Sequence, residues 1–118
     1  MKENLIKDKT FAFSLSVIGL YKQLKDEKEF VLSKQLLRSA TSIGANVVES
    51  EAAQSTADFI SKLSIAAKEA RETKYWLQLL SKSQLTFIEI GEFITEIESI
   101  IRILTSIIKT TQERKNKI

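Results

Sequence analysis

Apolar residues recur at alternating intervals of four and three along most of this sequence, and this spacing constrains the fold more than any other feature. The longest run lies near the C-terminus, at Ile90, Ile94, Ile97, Ile101, Leu104, Ile108 and Thr111. An average interval of 3.5 residues places side chains on one face of an α-helix, whereas a half-buried strand needs an interval of two. The spacing therefore predicts a long helix with one apolar face.

Three further segments repeat this pattern, so the sequence predicts helices over 4–26, 32–53, 56–82 and 87–114. Pro is absent and Gly occurs three times in 118 residues, which leaves few helix breakers. The stretch 55–58, Ser-Thr-Ala-Asp, resembles a capping box at the start of the third helix. Short loops between long helices favour antiparallel neighbours. The expected fold is one all-α domain, residues 1–118, built as an antiparallel up-down four-helix bundle.

Gly19 and Gly44 fall inside the first two predicted helices. Gly19 costs the first helix about 1 kcal/mol relative to Ala, a cost best explained by close contact with a neighbouring helix. Gly44 marks a kink or a contact point in the second helix. The polar stretch 81–84 separates the third and fourth helices without Gly or Pro, and it is the least clearly marked boundary.

The first and fourth helices carry apolar side chains beyond their main stripes. The extra rows are Phe11, Leu15 and Ile18 in the first helix and Phe93, Ile100 and Ile107 in the fourth. Stripes this broad exceed what one neighbouring surface in a small bundle covers. We expect these six residues to form faces shared between copies of the chain, which predicts a homo-oligomer.

The residue types present argue against catalysis. Cys and His are both absent, which removes thiol nucleophiles, Ser-His pairs and nearly all zinc sites. Carboxylates cluster at Glu69 and Glu72 and again at Glu89, Glu92 and Glu96, but di-iron bundles need Glu-x-x-His pairs. We expect no catalytic residue, no cofactor and no metal site. An enzyme using Glu69 and Glu72 with a divalent ion is the weakest of the functions considered.

The N-terminal residues are polar, and no apolar run approaches the roughly 18–20 residues that a membrane span needs. We therefore expect a cytoplasmic protein without membrane contact.

A set of polar residues lies on the otherwise apolar second and third helices. Arg38, Ser42 and Asn46 follow one another at intervals of four, so they share one helix face. A partly buried Arg38 is expected to pair with carboxylates of the third helix and so fix the alignment of the two helices. A contact with a ligand or protein partner is the alternative role. The residues of this set are Arg38, Ser42, Asn46, Glu49, Glu69 and Glu72.

The end of the chain is basic. The last ten residues carry Lys109, Arg114, Lys115 and Lys117 against Glu113, which accounts for the whole net charge of +3. Cations suit the C-terminus of a helix, and a solvated helix end is the simplest interpretation. The same four residues are the candidates for contact with RNA phosphates.

Two long motifs resemble a known family. Residues 35–49 and then 58–66 and 68–80 are similar to the second and third helices of the proteins encoded in intervening sequences of bacterial 23S rRNA genes, the S23 family. The similarity spans residues 11–108. The family often has Pro where this chain has Gly44, and Gly where it has Ser50. These differences concern the bend of the second helix.

This resemblance implies an antiparallel four-helix bundle that assembles as a ring-like homopentamer. It also implies a relationship to the accessory variability proteins of diversity-generating retroelements, which bind nucleic acid and a reverse transcriptase. We therefore expect a non-enzymatic, self-assembling scaffold that contacts RNA or a nucleoprotein partner. The alternative is an adaptor that binds protein alone, with a groove for an apolar partner helix.

Overall fold

The chain forms four α-helices connected by short loops. The computed structural model describes residues 2–117, and the helices in this range are α1 (Lys2–Asp26), α2 (Leu32–Glu51), α3 (Thr56–Ser83) and α4 (Gly91–Asn116). Each helix packs against the next in chain order, and α4 also contacts α1. The bundle measures 53 × 22 × 21 Å. Residues 2–117 contain no strand, and the prediction of an all-α up-down bundle is confirmed.

The core is one cluster of buried side chains contributed by all four helices. Its fully buried large members include Leu20 from α1, Leu36 from α2, Leu77 from α3 and Leu104 from α4. Because these side chains recur at helical intervals, each helix buries one stripe, as the spacing predicted. Within residues 2–117, no helix is both long enough and apolar enough to cross a bilayer.

Small residues allow α2 and α3 to approach closely. Ala40 of α2 and Ala66 and Ala70 of α3 are all buried. Alanine lacks atoms beyond Cβ, so helix backbones separated by such residues come nearer than those separated by leucine. The contact between α2 and α3 is the most extensive contact between two helices of the bundle.

The start of α2 depends on a glutamate that precedes the helix. The carboxylate of Glu29 accepts hydrogen bonds from the backbone N–H groups of Val31 (3.1 Å), Leu32 (2.9 Å) and Ser33 (2.7 Å). Burial by itself raises the pKa of Glu29, but the hydrogen bonds from Leu32, Ser33 and Val31 lower it, and the pKa falls below its ordinary value. Glu29 thus satisfies amides that would otherwise lack a partner at the helix start.

The boundary between α3 and α4 differs from the prediction. Helix α3 continues to Ser83, and Gln84 ends it in the left-handed conformation, with φ of 63°. Helix α4 begins at Gly91 rather than at position 87, so residues 84–90 form a loop. The amide of Gly91 is bound by the carboxylate of Glu89, 3.0 Å away. Helix α2 also ends two residues before the predicted position 53.

Gly19 and Gly44 have different surroundings. A Cβ atom built on Gly44 would lie 3.6 Å from the Thr10 carbonyl oxygen and from the hydroxyl oxygens of Thr10 and Ser14. Gly44 is therefore a contact point with α1, and α2 runs through it as one continuous helix. Gly19 is exposed, and a Cβ built there meets no atom within 4 Å. The expected close helix contact at Gly19 is wrong for the bundle, because Gly19 faces outward.

Candidate functional site

The polar set on α2 and α3 is organised around one arginine. The guanidinium of Arg38 donates through Nη1 to Oε2 of Glu69, 3.4 Å away, and through Nη2 to Oε1 of Glu72. The indole N–H of Trp76 also donates to the Glu72 carboxylate, at 3.4 Å. The Arg38 side chain is 51% exposed, whereas that of Glu69 is 14% exposed. The expected ion pair between α2 and α3 is thus present, and it lies at the protein surface.

The other members of the set do not join this cluster. The Ser42 hydroxyl donates to the Arg38 carbonyl (2.7 Å), and the Asn46 amide donates to the Ser42 carbonyl (2.9 Å). Both side chains therefore bind the backbone of their own helix one turn earlier. Glu49 is exposed, and none of the ion pairs among the described residues involves it. Of the six predicted residues, the structure brings three together.

A hydroxyl pair beneath the ion pair was missed by the sequence interpretation. Ser39 and Thr73 are both completely buried, and their hydroxyl oxygens are hydrogen-bonded at 2.8 Å across the α2–α3 contact. Each hydroxyl also lies near a carbonyl of its own helix, that of Leu36 for Ser39 and that of Glu69 for Thr73. Both residues were hard to single out, because Thr73 lies on the apolar stripe of α3 and serine is common on helix surfaces.

The residues predicted to form shared faces are mostly exposed on α1 but mostly buried on α4. Phe11 and Leu15 are 66% and 55% exposed, and Ile18 is half-buried. On α4, however, Ile100 and Ile107 are buried in the subunit's own core. They cannot reach a second copy, because the core lies between the two apolar rows of α4 instead of beside one of them. This part of the predicted interface is corrected.

Phe93 is half-buried at the edge of the α1–α4 contact. It lines a shallow groove of about 420 Å³ together with Ala12, Phe13 and Ser16 of α1. The ion pair between Lys9 and Glu96, at 2.7 Å, connects the same two helices. Of the three α4 residues predicted for a shared face, Phe93 is therefore the one that is not buried.

A second groove runs between α1 and α2. It has a volume of about 580 Å³, and its mostly apolar lining includes Phe11, Gly44, Ala45 and Val48. Val48 is 52% exposed and stands opposite Phe11 across the groove. Exposed large apolar residues scattered singly are ordinary, whereas a contiguous set around a groove marks an interaction surface. The six residues predicted for shared faces include none from α2, so the α2 side of this surface, with Val48, was missed.

The structure separates the four basic residues near the C-terminus. All four are exposed. Lys109 lines a groove between α3 and α4 together with Arg71, while Arg114 borders a cavity at the end of the bundle, near Glu51 and Ser55. Five positions along a helix correspond to a rotation of about 140°, so Lys109 and Arg114 point in different directions. The four basic residues near the C-terminus therefore do not form one continuous patch of positive charge.

The carboxylates do not assemble into a metal site. Within residues 2–117, no group of three or more acidic side chains converges. Glu69 and Glu72, the pair considered for a divalent ion, are both engaged by Arg38. All buried side-chain nitrogen and oxygen atoms in the same part of the chain have hydrogen-bond partners. The described core therefore contains no unsatisfied polar side chain that would need a ligand as its partner.

The architecture and the α2–α3 motifs can be compared with known proteins. Residues 2–106 match the profile of the 23S rRNA-intervening sequence proteins. The chain belongs to this family. A solved structure from Bacteroides thetaiotaomicron, described as a protein with unknown function from the S23 ribosomal protein family, is 51% identical and has a TM-score of 0.88. The similarity covers 92% of this chain and 99% of that one. No curated protein matches.

Membership of the 23S rRNA-intervening sequence family confirms the resemblance seen in residues 35–49 and 58–80. The matched region contains α1, α2, α3 and most of α4. It includes the Arg38 ion pairs and both walls of the α1–α2 groove. The Bacteroides relative is itself a protein of unknown function.

Proposed function

We propose that this member of the 23S rRNA-intervening sequence family is a non-enzymatic protein that associates with copies of itself and serves as a scaffold for RNA or a nucleoprotein partner. The observation that carries the proposal is the apolar surface around the α1–α2 groove. Phe11 and Leu15 on α1 and Val48 on α2 expose more than half of their side-chain surface. Burying a large apolar side chain contributes about 1.5–3 kcal/mol, so covering three of them favours association.

The proposed contact between copies is centred on this groove. On its α2 side the groove is lined by Gly44 and Ala45, whose small size leaves room beside the exposed Phe11 and Val48 for an apolar side chain of the second copy. Half-buried Ile18 lies next to Leu15 on the helix surface and extends the apolar area. A homopentamer is the assembly that the family resemblance implies, and we include that number in the proposal.

Light scattering coupled to size-exclusion chromatography tests the assembly. The wild-type protein is expected to elute as a homo-oligomer at micromolar concentration, and the double variant Phe11→Glu/Leu15→Glu as a monomer of unchanged helicity. Phe87→Glu is the matched control, because Phe87 is fully exposed but lies in the α3–α4 loop. A monomeric wild type would refute the proposal, as would a control that dissociates equally well.

The RNA part of the proposal rests on the basic residues and on the resemblance. Lys109, Arg114, Lys115 and Lys117 are exposed and form no ion pair within the described part of the chain. Contacts between Lys or Arg and phosphates release counterions, so binding weakens steeply with salt. Replacing all four residues with Gln is expected to reduce both the affinity and its salt dependence in filter binding. Unchanged affinity would remove the basic residues from the proposal.

An adaptor that binds only protein is the second candidate. The α1–α2 groove favours the adaptor as well, because a groove whose lining is mostly apolar and includes small residues accommodates an amphipathic helix. Pulldown from nuclease-treated lysate distinguishes the two functions. Retention of one partner without RNA, together with loss of that partner in Phe11→Glu/Leu15→Glu, would support the adaptor.

A further inference from the structure

Positive charge is concentrated in two chain segments that pack against each other. Residues 60–71 of α3 and 99–117 at the end of α4 carry eight Lys and Arg against two Glu, a net charge of +6. The rest of the chain carries ten Lys and Arg against thirteen acids, a net charge of −3. A net charge of +3 for the chain thus hides a strongly basic part and an acidic part. Such separation raises the local concentration of a polyanion near the basic part.

A groove lies between these two basic segments. It has a volume of about 240 Å³ and is open to solvent, with Ser64 and Arg71 on the α3 wall and Thr105, Lys109 and Gln112 on the α4 wall. Arg102 is exposed and precedes Thr105 by three residues, so it extends the α4 wall by one turn. Cations therefore stand on both sides of the groove.

The three cations are not neutralised by neighbouring acids. Among the described residues, Arg71, Arg102 and Lys109 take part in none of the ion pairs. One turn beyond Arg71, Lys74 of α3 pairs with Glu98 of α4, at 3.0 Å, and the charges of that pair cancel. The one acid of the basic segment on α3, Glu69, is engaged by Arg38.

The lining indicates which chemical group fits. Ser64, Thr105 and Gln112 line the groove with hydroxyl and amide groups, and such groups supply many of the hydrogen bonds that proteins make to phosphate and sugar. Among the described residues, no aromatic side chain lines the groove, so this part of the chain offers no platform on which a base can stack. Ile108 is the one large apolar residue among the described lining residues, which is too little for the anchor pocket of a partner helix.

We propose that the α3–α4 groove binds the phosphate backbone of RNA, with Arg71, Arg102 and Lys109 as the contacting cations and without selection of base sequence. This inference rests on the RNA contact proposed above and gives it a location. It adds Arg71 and Arg102, which lie outside the basic C-terminal stretch. The RNA follows the groove, and the exposed end of α4 makes further phosphate contacts.

The test compares three triple variants by fluorescence anisotropy with a short labelled single-stranded RNA. The groove variant is Arg71→Gln/Arg102→Gln/Lys109→Gln, and the tail variant is Arg114→Gln/Lys115→Gln/Lys117→Gln. The control variant, Lys22→Gln/Lys34→Gln/Lys82→Gln, removes the same charge from exposed positions outside the basic segments. Circular dichroism establishes that each variant keeps the helicity of the wild type.

Each phosphate contact with a single strand contributes about 0.7 to the slope of log affinity against log salt. Loss of three contacts is expected to reduce the slope by about 2 and to weaken binding about 100-fold near 0.1 M salt. The control variant is expected to bind within about threefold of the wild type, since it loses only long-range attraction. Two RNAs of unrelated base sequence are expected to bind equally.

The outcomes separate this inference from the broader proposal. A groove variant that binds like the control, while the tail variant loses affinity, would overturn the groove and leave RNA binding by the tail intact. Wild-type protein that binds no RNA at about 50 mM salt would overturn both. A preference of tenfold or more for one base sequence would overturn recognition of the backbone alone. Tighter binding of single-stranded DNA of the same sequence would overturn the assignment to RNA.

Discussion

Replacement of Glu29 with Gln is expected to destabilise the bundle by an amount that depends on pH. Glu29 lies before α2, and its two carboxylate oxygens accept three backbone N–H groups. Oε1 serves Val31 and Leu32, while Oε2 serves Ser33 at 2.7 Å. Glutamine keeps one acceptor oxygen and presents an NH₂ group in place of the other, so at least one amide at the helix start loses its partner.

The magnitude follows from two contributions. A negative charge at a helix N-terminus contributes about 0.3–1 kcal/mol, and loss of a capping side chain costs about 0.5–2 kcal/mol. The two overlap, because the charge strengthens the same hydrogen bonds, and Glu29 is only partly buried. We therefore expect Glu29→Gln to lower the free energy of unfolding by about 1–2 kcal/mol near pH 7.

The dependence on pH follows from the lowered pKa. Because the pKa of Glu29 in the folded chain lies below its ordinary value of 4.5, ionised Glu29 stabilises the fold above that value. The contribution is lost as the pH falls through the folded pKa, since the protonated acid no longer differs in charge from glutamine. The difference between variant and wild type is therefore expected to shrink between about pH 5 and pH 3.

Urea unfolding followed by circular dichroism measures this difference, with the protein concentration held constant so that association contributes equally. Glu113→Gln is the matched control: it removes the same charge from an exposed side chain near the end of α4. An equal loss of stability in both variants would refute the capping role of Glu29. A loss of the same size at about pH 7 and about pH 3 would refute its dependence on ionisation.

Three further substitutions test other parts of the fold by urea unfolding. Gly19→Ala is expected to stabilise α1 by about 0.5–1 kcal/mol, since the added Cβ meets nothing; a loss of stability would indicate that another copy approaches this position. Ala70→Leu is expected to cost about 1–3 kcal/mol, because Ala70 is completely buried at the α2–α3 contact; a neutral effect would contradict close packing there. Arg38→Met is expected to cost about 1 kcal/mol, as it leaves the nearly buried Glu69 carboxylate without its cation. In a double-mutant cycle, the cost should become smaller in the Glu69→Gln background, where Arg38 still pairs with Glu72, and additive effects would rule out the pairing of Arg38 with Glu69.

The helices were predictable because the apolar spacing is regular, and the errors occurred where spacing carries no information. Leu85, Phe87 and Ile88 continue the apolar character of α4 into a loop, so the sequence extended the helix to position 87. What ends α3 is Gln84 in the left-handed conformation, which Gly or Asn usually adopts. A glutamine there gives no signal that the helix stops.

The candidate surfaces were harder to predict than the helices. On α4, the sequence identified two apolar rows but not the rotation of the helix about its axis, and the core lies between the rows. Ile100 and Ile107 therefore point inward, whereas on α1 the main row faces the core and the extra row leaves Phe11 outside. The α3–α4 groove could not be predicted from the sequence for a different reason. Arg71 and Lys109 are 38 positions apart in the chain, and only the packing of α3 against α4 brings them to one groove.

The buried hydroxyl pair of Ser39 and Thr73 has a consequence for how the chain finds a unique structure. Alanines make the meeting surfaces of α2 and α3 smooth, so a slide of one helical turn, about 5.4 Å, would still match apolar surface to apolar surface. After such a slide, Ser39 would face a neighbour of Thr73 such as Leu77, and the hydrogen bond between the two helices would be lost. A hydrogen bond of this kind contributes only about 1 kcal/mol, yet that is enough to favour one of several nearly equivalent arrangements. The hydrogen bond between Ser39 and Thr73 therefore favours one alignment of α2 and α3 over alignments shifted by a helical turn.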